Sequence, residues 1–275
     1  MDPVLLKTSI ITNNKASLPT QISRTLRRAD EITNLCVAAS YLTLNNYNDI
    51  ITKYSTPEER SIVISTRFGP IETNFRYLDT IFDFGESQGS PTLFSHSVHN
   101  TASGYISRIF NFKGPIYTIS SYSYPLIKAL LTAITLLKQD LTKLVLVIET
   151  ETKSNLLNNG IKDLLSIKDF STFSYSIAWL LTNQTELVNN TGLVFNNISL
   201  EDLSSYKPIY NLFSDIILEY QNKIEYINSY QLSIKLSKYL EKSFYEDTEN
   251  IYFKINSNIG IAKGEIYKYK KEVLQ

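Results

Sequence analysis

The stretch Lys143-Leu-Val-Leu-Val-Ile-Glu149 restricts the fold of this chain more than any other. Successive side chains on a strand point to opposite sides of a sheet, so an unbroken apolar run cannot have one face in water. It is buried on both faces, which requires other elements packed against each side. Ile62-Val63-Ile64 is a shorter run of the same kind, bounded by Arg60 and by Gly69-Pro70. Around these runs the apolar spacing turns helical over Glu72 to Phe84, His99 to Phe112 and Pro125 to Lys138, the last with proline in its first turn. Strands alternating with helices predict a layered α/β fold whose central sheet contains 61–66, 115–120, 143–149 and 172–181.

The remaining segments are read in the same way. Residues 21–45 are predicted as one helix, apolar at Ile22, Leu26, Ile32, Leu35, Cys36, Ala39 and Leu42, with Arg24, Arg27 and Arg28 at its start. Residues 85–90 form a Gly/Ser loop, and Lys153 to Lys168 a loop with a helical turn. Phe170 to Leu181 is predicted as a strand, and Gly192 to Ile198 as its neighbour. Tyr206 to Lys223 and Ser229 to Phe244 have helical spacing, and Ile251–Ile255 with Ile259–Tyr269 reads as a hairpin. With no repeat and no Pro/Gly-rich linker, 1–275 is expected to be a single domain with 201–275 as a helical and hairpin appendage.

Composition narrows the function classes. Basic and acidic residues balance at 27 each, which argues against broad neutralisation of a nucleic-acid backbone. A single cysteine, Cys36, excludes a disulfide framework or a multi-thiolate metal site within the chain, so no metal and no cofactor is expected. Residues 1–20 carry no signal-peptide pattern, and the most apolar run, Tyr124 to Leu137, is too short to span a bilayer. A soluble cytoplasmic protein is the expectation.

The segment Pro91-Thr-Leu-Phe-Ser-His-Ser-Val-His-Asn-Thr-Ala-Ser-Gly-Tyr-Ile-Ser107, followed by Gly114-Pro-Ile-Tyr-Thr-Ile-Ser-Ser-Tyr-Ser123, carries the functional information. It resembles the part of a β-ketoacyl synthase that holds the dimer-interface helix, the interface strand and the nucleophile elbow. His99, Asn100 and Gly104 match that family's helix motif, Gly114-Pro115 its strand entry, and ungapped counting puts its cysteine on Ser123. Leu26-Arg27-Arg28 and Ile64-Ser-Thr-Arg-Phe-Gly69 resemble further motifs of the short synthase-like proteins, with Pro70 where an acid is expected. Roughly residues 20–200 resemble the N-terminal half of a thiolase-type synthase, which implies a thiolase-like fold shortened on its C-terminal side relative to a full ketosynthase. The pattern is similar to the chain-length-factor subunits of aryl-polyene pathways.

The chemistry of a condensing enzyme needs a thiolate to carry the acyl chain and two histidines to polarise the malonyl carbonyl. The elbow carries Ser123 in place of the thiol, and both histidines of the chain, His96 and His99, sit inside the interface motif. Cys36 lies on the first predicted helix and reads as a small buried hydrophobe. His99 is expected to hold its segment by a hydrogen bond, and His96 to face solvent. No catalytic residue is therefore assigned.

The resemblance implies a partner instead: a cysteine-bearing ketosynthase forming a heterodimer, with acyl carrier protein reached through that complex. Leu93, Phe94, Tyr105, Ile109, Phe110, Ile116 and Ile119 become the candidate interface and tunnel residues, limiting a rigid polyene by steric overlap. His99, Asn100, Gly104, Gly114 and Pro115 become structural motif residues. Two alternatives stay open: a serine-dependent acyltransferase using Ser123, and a free-standing homodimer that binds acyl chains.

Overall fold

A computed structural model describes residues 2–12, 17–165, 172–188, 191–202, 215–220, 223–228, 231–245, 250–257 and 260–270. In chain order the elements are β1 (Val4–Thr12), α1 (Thr20–Thr25), α2 (Glu31–Leu44), α3 (Asn48–Tyr54), β2 (Arg60–Thr66), α4 (Ile71–Phe84) and α5 (Pro91–His96). Then follow α6 (Thr101–Phe110), β3 (Ile116–Ser120), α7 (Pro125–Lys138), β4 (Leu144–Glu151), α8 (Asn155–Leu165), β5 (Tyr175–Thr182) and β6 (Thr191–Asp202). The chain continues with β7 (Asp215–Tyr220), β8 (Lys223–Asn228), α9 (Leu232–Ser243), β9 (Asn250–Ser257) and β10 (Gly260–Lys270).

The strands form one sheet in the order β3-β2-β4-β5-β1-β6-β10-β9-β7-β8. All four predicted central strands are present, with β2 parallel to both β3 and β4 and β5 antiparallel to β4. Every residue of β2, β4 and β5 is buried, as their apolar runs require. Helices α2 and α6 cover one face of this part of the sheet. The other face meets α7 and α9, whose far sides pack on the inner residues of β6, β7, β9 and β10. The result is a mixed α/β layered fold of the thiolase type. Trp179 ties the layers together: its ring stacks on Phe195 at 5.9 Å and its Nε1 donates to Ser237 Oγ at 2.8 Å.

Several sequence expectations need correction. The helix expected over 21–45 is two, α1 and α2, because Asp30 caps α2 by accepting from the Thr33 amide at 3.2 Å. Asn155–Leu165 is a helix rather than a loop. The strand expected from residue 170 begins at Tyr175. β6 does not neighbour it: β1, a strand the sequence reading does not assign, lies between them and meets β6 through Val4–Val194 and Leu5–Leu193. Within the helix expected over 206–223, residues 203–214 lie outside the described part and Asp215–Tyr220 is a strand. Its apolar pair Ile216-Ile217 fits either period, and alternate burial of Ile216, Leu218 and Tyr220 selects the strand. The C-terminal hairpin is β9 and β10, joined from Ser257 to Gly260.

Candidate functional site

The elbow follows β3 and opens α7. The Ser121 amide donates to Thr66 O at 3.0 Å, continuing the pairing of β2 with β3. Ser123 is then turned inward and only 1 % exposed. The next residue, Tyr124, is left-handed at φ 46° and ψ 50°, a conformation that costs a bulky side chain of order 1 kcal/mol or more. Pro125 disfavours a right-handed helical conformation for Tyr124, and the tyrosine hydroxyl is fastened to Ser257 Oγ at 2.5 Å and Gly260 O at 2.8 Å. An aromatic side chain thus fills the space between the elbow and the β9–β10 hairpin.

Lys128, one turn into α7, donates from Nζ to Ser121 Oγ at 2.8 Å and to Ser123 Oγ at 3.1 Å. Activation of a serine needs a base that takes its proton; the group on Ser123 Oγ here is the Lys128 amine. Neither histidine is the base. His96 is buried rather than solvent-facing: Nδ1 lies 2.8 Å from Thr92 O and Nε2 lies 3.2 Å from Tyr105 OH. His99 makes no side-chain hydrogen bond among the described residues; its ring packs where a Cβ on Gly69 (φ +62°) would stand. Burial pushes the Cys36 thiol up to about 12, which leaves it protonated and inert.

Two buried carboxylates close the region beneath the elbow, and the sequence reading treats neither as a functional group. Glu149 accepts from Tyr175 OH at 2.5 Å and from Ser233 Oγ at 2.6 Å, joining β4, β5 and α9. Glu151 accepts from Thr66 Oγ1 at 3.0 Å and from the Arg67 and Phe68 amides. Burial drives the Glu151 carboxyl up to about 7, against the pull of the Arg67 amide and charge. Their signal in the sequence is acid at alternate positions ending an otherwise apolar strand.

The opposite situation holds at the sheet edge. Among the described residues β3 is paired on one side only, with Ile116 at 40 % and Tyr117 at 46 % exposure. Residues 67–100 leave the body as an arm in which α4 packs on α5, with Tyr77 and Phe94 rings 5.5 Å apart. Ile71, Phe75, Leu78 and Phe82 recur at helical spacing on α4, yet Thr73 is its one buried residue and Phe82 is 79 % exposed. An amphipathic helix with no apolar residue buried lacks the surface it is patterned to meet.

The other predicted residues are placed as follows. Phe94 is exposed and Leu93 half-buried on α5, and Tyr105 bonds to His96. Ile119 is half-buried against the body. Ile109 and Phe110 line a cleft with α3 at the far end of β2. Gly114 is required, since a Cβ would stand 2.6 Å from Glu58 O and 2.8 Å from Arg60 O. Pro115 O accepts from the Ile62 amide at 3.1 Å, Asn100 precedes α6, and the missing Cβ of Gly104 faces open space. Arg24, Arg27 and Arg28 are exposed, and none forms an ion pair among the described residues. No helix among those residues is long and apolar enough to cross a membrane.

Comparison with known proteins adds relatives to this geometry. The family model for the beta-ketoacyl synthase N-terminal domain matches residues 26–207. No curated protein matches the sequence. Among solved structures, the chain is similar to the ketosynthase (ApeO) in complex with its chain length factor (ApeC) from Xenorhabdus doucetiae. That likeness has 15 % identity and a TM-score of 0.60, covering 96 % of this chain and 99 % of the other. The complex AntDE:AntF, a type II PKS acyl-carrier protein with its ketosynthase bound to the hexaketide, matches at 13 % identity and TM-score 0.67, covering 97 % and 99 %. The ishigamide ketosynthase/chain length factor matches at 15 % identity and TM-score 0.61, covering 74 % and 68 %. At these identities the likeness establishes the fold.

Proposed function

The chain belongs to the beta-ketoacyl synthase N-terminal domain family, and from that premise we propose that it is a non-catalytic chain-length-factor subunit that pairs with a cysteine-bearing ketosynthase. The uncovered edge formed by β3 and the α4–α5 arm carries the reading: Ile116, Tyr117, Leu78, Phe82 and Phe94 are patterned for burial and stand in water. The elbow supports it from the other side: Ser123, on which the resemblance puts the family's cysteine, is held by Lys128, and a buried tyrosine adjoins it. The solved structures of similar fold include ketosynthases in complex with chain length factors, which is the assembly proposed here. In it, Leu93 and Phe94 border the partner's acyl tunnel, and carrier protein is served by the complex, with Arg24, Arg27 and Arg28 offering positive charge to an acidic partner.

Co-expression with a ketosynthase encoded beside it tests this. A stable heterodimer burying more than about 2,000 Å² is expected, condensing only when the partner's cysteine is intact. Phe94→Ala should then lengthen the product. A well-behaved monomer that no ketosynthase retains overturns the reading. Stable acylation of Ser123 in the intact mass replaces it with a serine acyltransferase.

A further inference from the structure

At the other end of β2 from the elbow lies an open cleft of about 540 Å³ between α3, the start of β2 and the end of α6. Six residues of strand separate Arg60 from Thr66, so the two ends are roughly 20 Å apart. Arg60 lines this cleft and is 6 % exposed. Its Nε donates to Ser55 Oγ at 3.0 Å, and its Nη2 to Ser55 O at 2.5 Å and Ile51 O at 3.3 Å. All three acceptors are neutral and sit at the C-terminal end of α3. None of these bonds uses Nη1, and no carboxylate lies within ion-pair distance of Arg60 among the described residues. The nearest acids act only through space: Glu59 is engaged by Lys143 Nζ at 2.8 Å, and Glu58 is exposed.

A guanidinium withdrawn from water is costly without a counter-charge, and with Nε and Nη2 engaged by Ser55 and Ile51 its Nη1 is left to donate to one. Around it the walls are amphipathic. Ile51, Ile109, Phe110 and Phe112 supply apolar surface, while Thr52 and Asn111 stand at the exposed side. We propose that this cleft binds a small carboxylic acid with an unbranched apolar tail, its carboxylate on Arg60 and its tail along Ile109, Phe110 and Phe112. The volume falls within the range of small-ligand pockets. The elbow is not involved.

Calorimetric titration of the full chain with sodium octanoate tests the proposal, with octanol as a tail-only control and acetate as a head-only control. Octanoate should bind with a dissociation constant below about 1 mM, and octanol and acetate at least about tenfold more weakly. Arg60→Gln also releases the end of α3, so the decisive variants are Thr52→Glu and Phe110→Trp. Thr52→Glu sets a competing carboxylate at the cleft on an exposed position, and Phe110→Trp fills the tail channel. Each should weaken octanoate at least about tenfold while the chain melts cooperatively as before. Absence of octanoate binding, equal binding of octanol, or binding indifferent to both substitutions overturns it.

Discussion

The elbow and the sheet edge lie a few residues apart in sequence and are built on opposite terms. At the elbow, several polar groups have partners drawn from distant elements: Ser257 and Gly260 for Tyr124, Ser233 for Glu149, Thr66 for Glu151. At the edge, large apolar side chains are exposed, and among the described residues β3 pairs on one side of its backbone. The elbow is cross-linked through Tyr124 to the β9–β10 hairpin. A surface kept for solvation would be charged, whereas the edge is aromatic.

The contrast is sharpened or broken by substitutions ordered by size of effect. Trp179→Ala, on the sealed side, should destabilise the isolated chain by about 3–5 kcal/mol in denaturant titration, since it empties a fully buried site and orphans Ser237. Glu151→Gln should change how stability varies with pH. The folded carboxyl titrates near 7, above its unfolded value of 4.5, so the native state binds the extra proton and stability falls as pH rises through that window. Glutamine keeps the acceptor oxygen for the Arg67 amide and removes the charge. It should abolish a decline of roughly 3 kcal/mol between pH 4.5 and 7, read as the difference in unfolding midpoints.

Ile116→Asp should leave the melting temperature of the isolated chain nearly unchanged and weaken the heterodimer by about 2–4 kcal/mol in affinity, because the charge is buried only when a partner arrives. Equal loss in the isolated chain would make β3 part of the core and break the contrast. Ser123→Ala is the smallest: condensation by the complex should stay within about twofold of the parent. A large loss would return chemistry to the elbow.

What the sequence disclosed follows the physics of its strands. β2, β4 and β5 are buried on both faces, so their unbroken apolar runs identify them without context. β9 alternates, with Ile251, Phe253 and Ile255 inward and Tyr252 outward, and is legible for the complementary reason. β1 and β7 mix both patterns and escaped. Of the site, Ser123 is singled out by ungapped counting from Asn100 through Gly114, and the structure sets it between β3 and α7. Glu149 and Tyr124 are not: their roles depend on residues more distant in sequence and on a left-handed turn that no composition signal marks. Ile109 and Phe110 carry an apolar pattern that says they are packed but not on which side, and the structure gives them to the α3 cleft.

The position of β1 sets a schedule for synthesis. The strand pairs with β5 from Val4–Thr182 onward and with β6 at Val4–Val194. Among the described residues its strand partners begin at Tyr175, so at about 5–20 residues per second Val4–Thr12 waits roughly 8–33 seconds for a neighbour. During that interval an apolar strand is unpaired along both sides, a template for misassociation with another nascent copy. The body of the fold therefore closes around β1 only after β5 has been made.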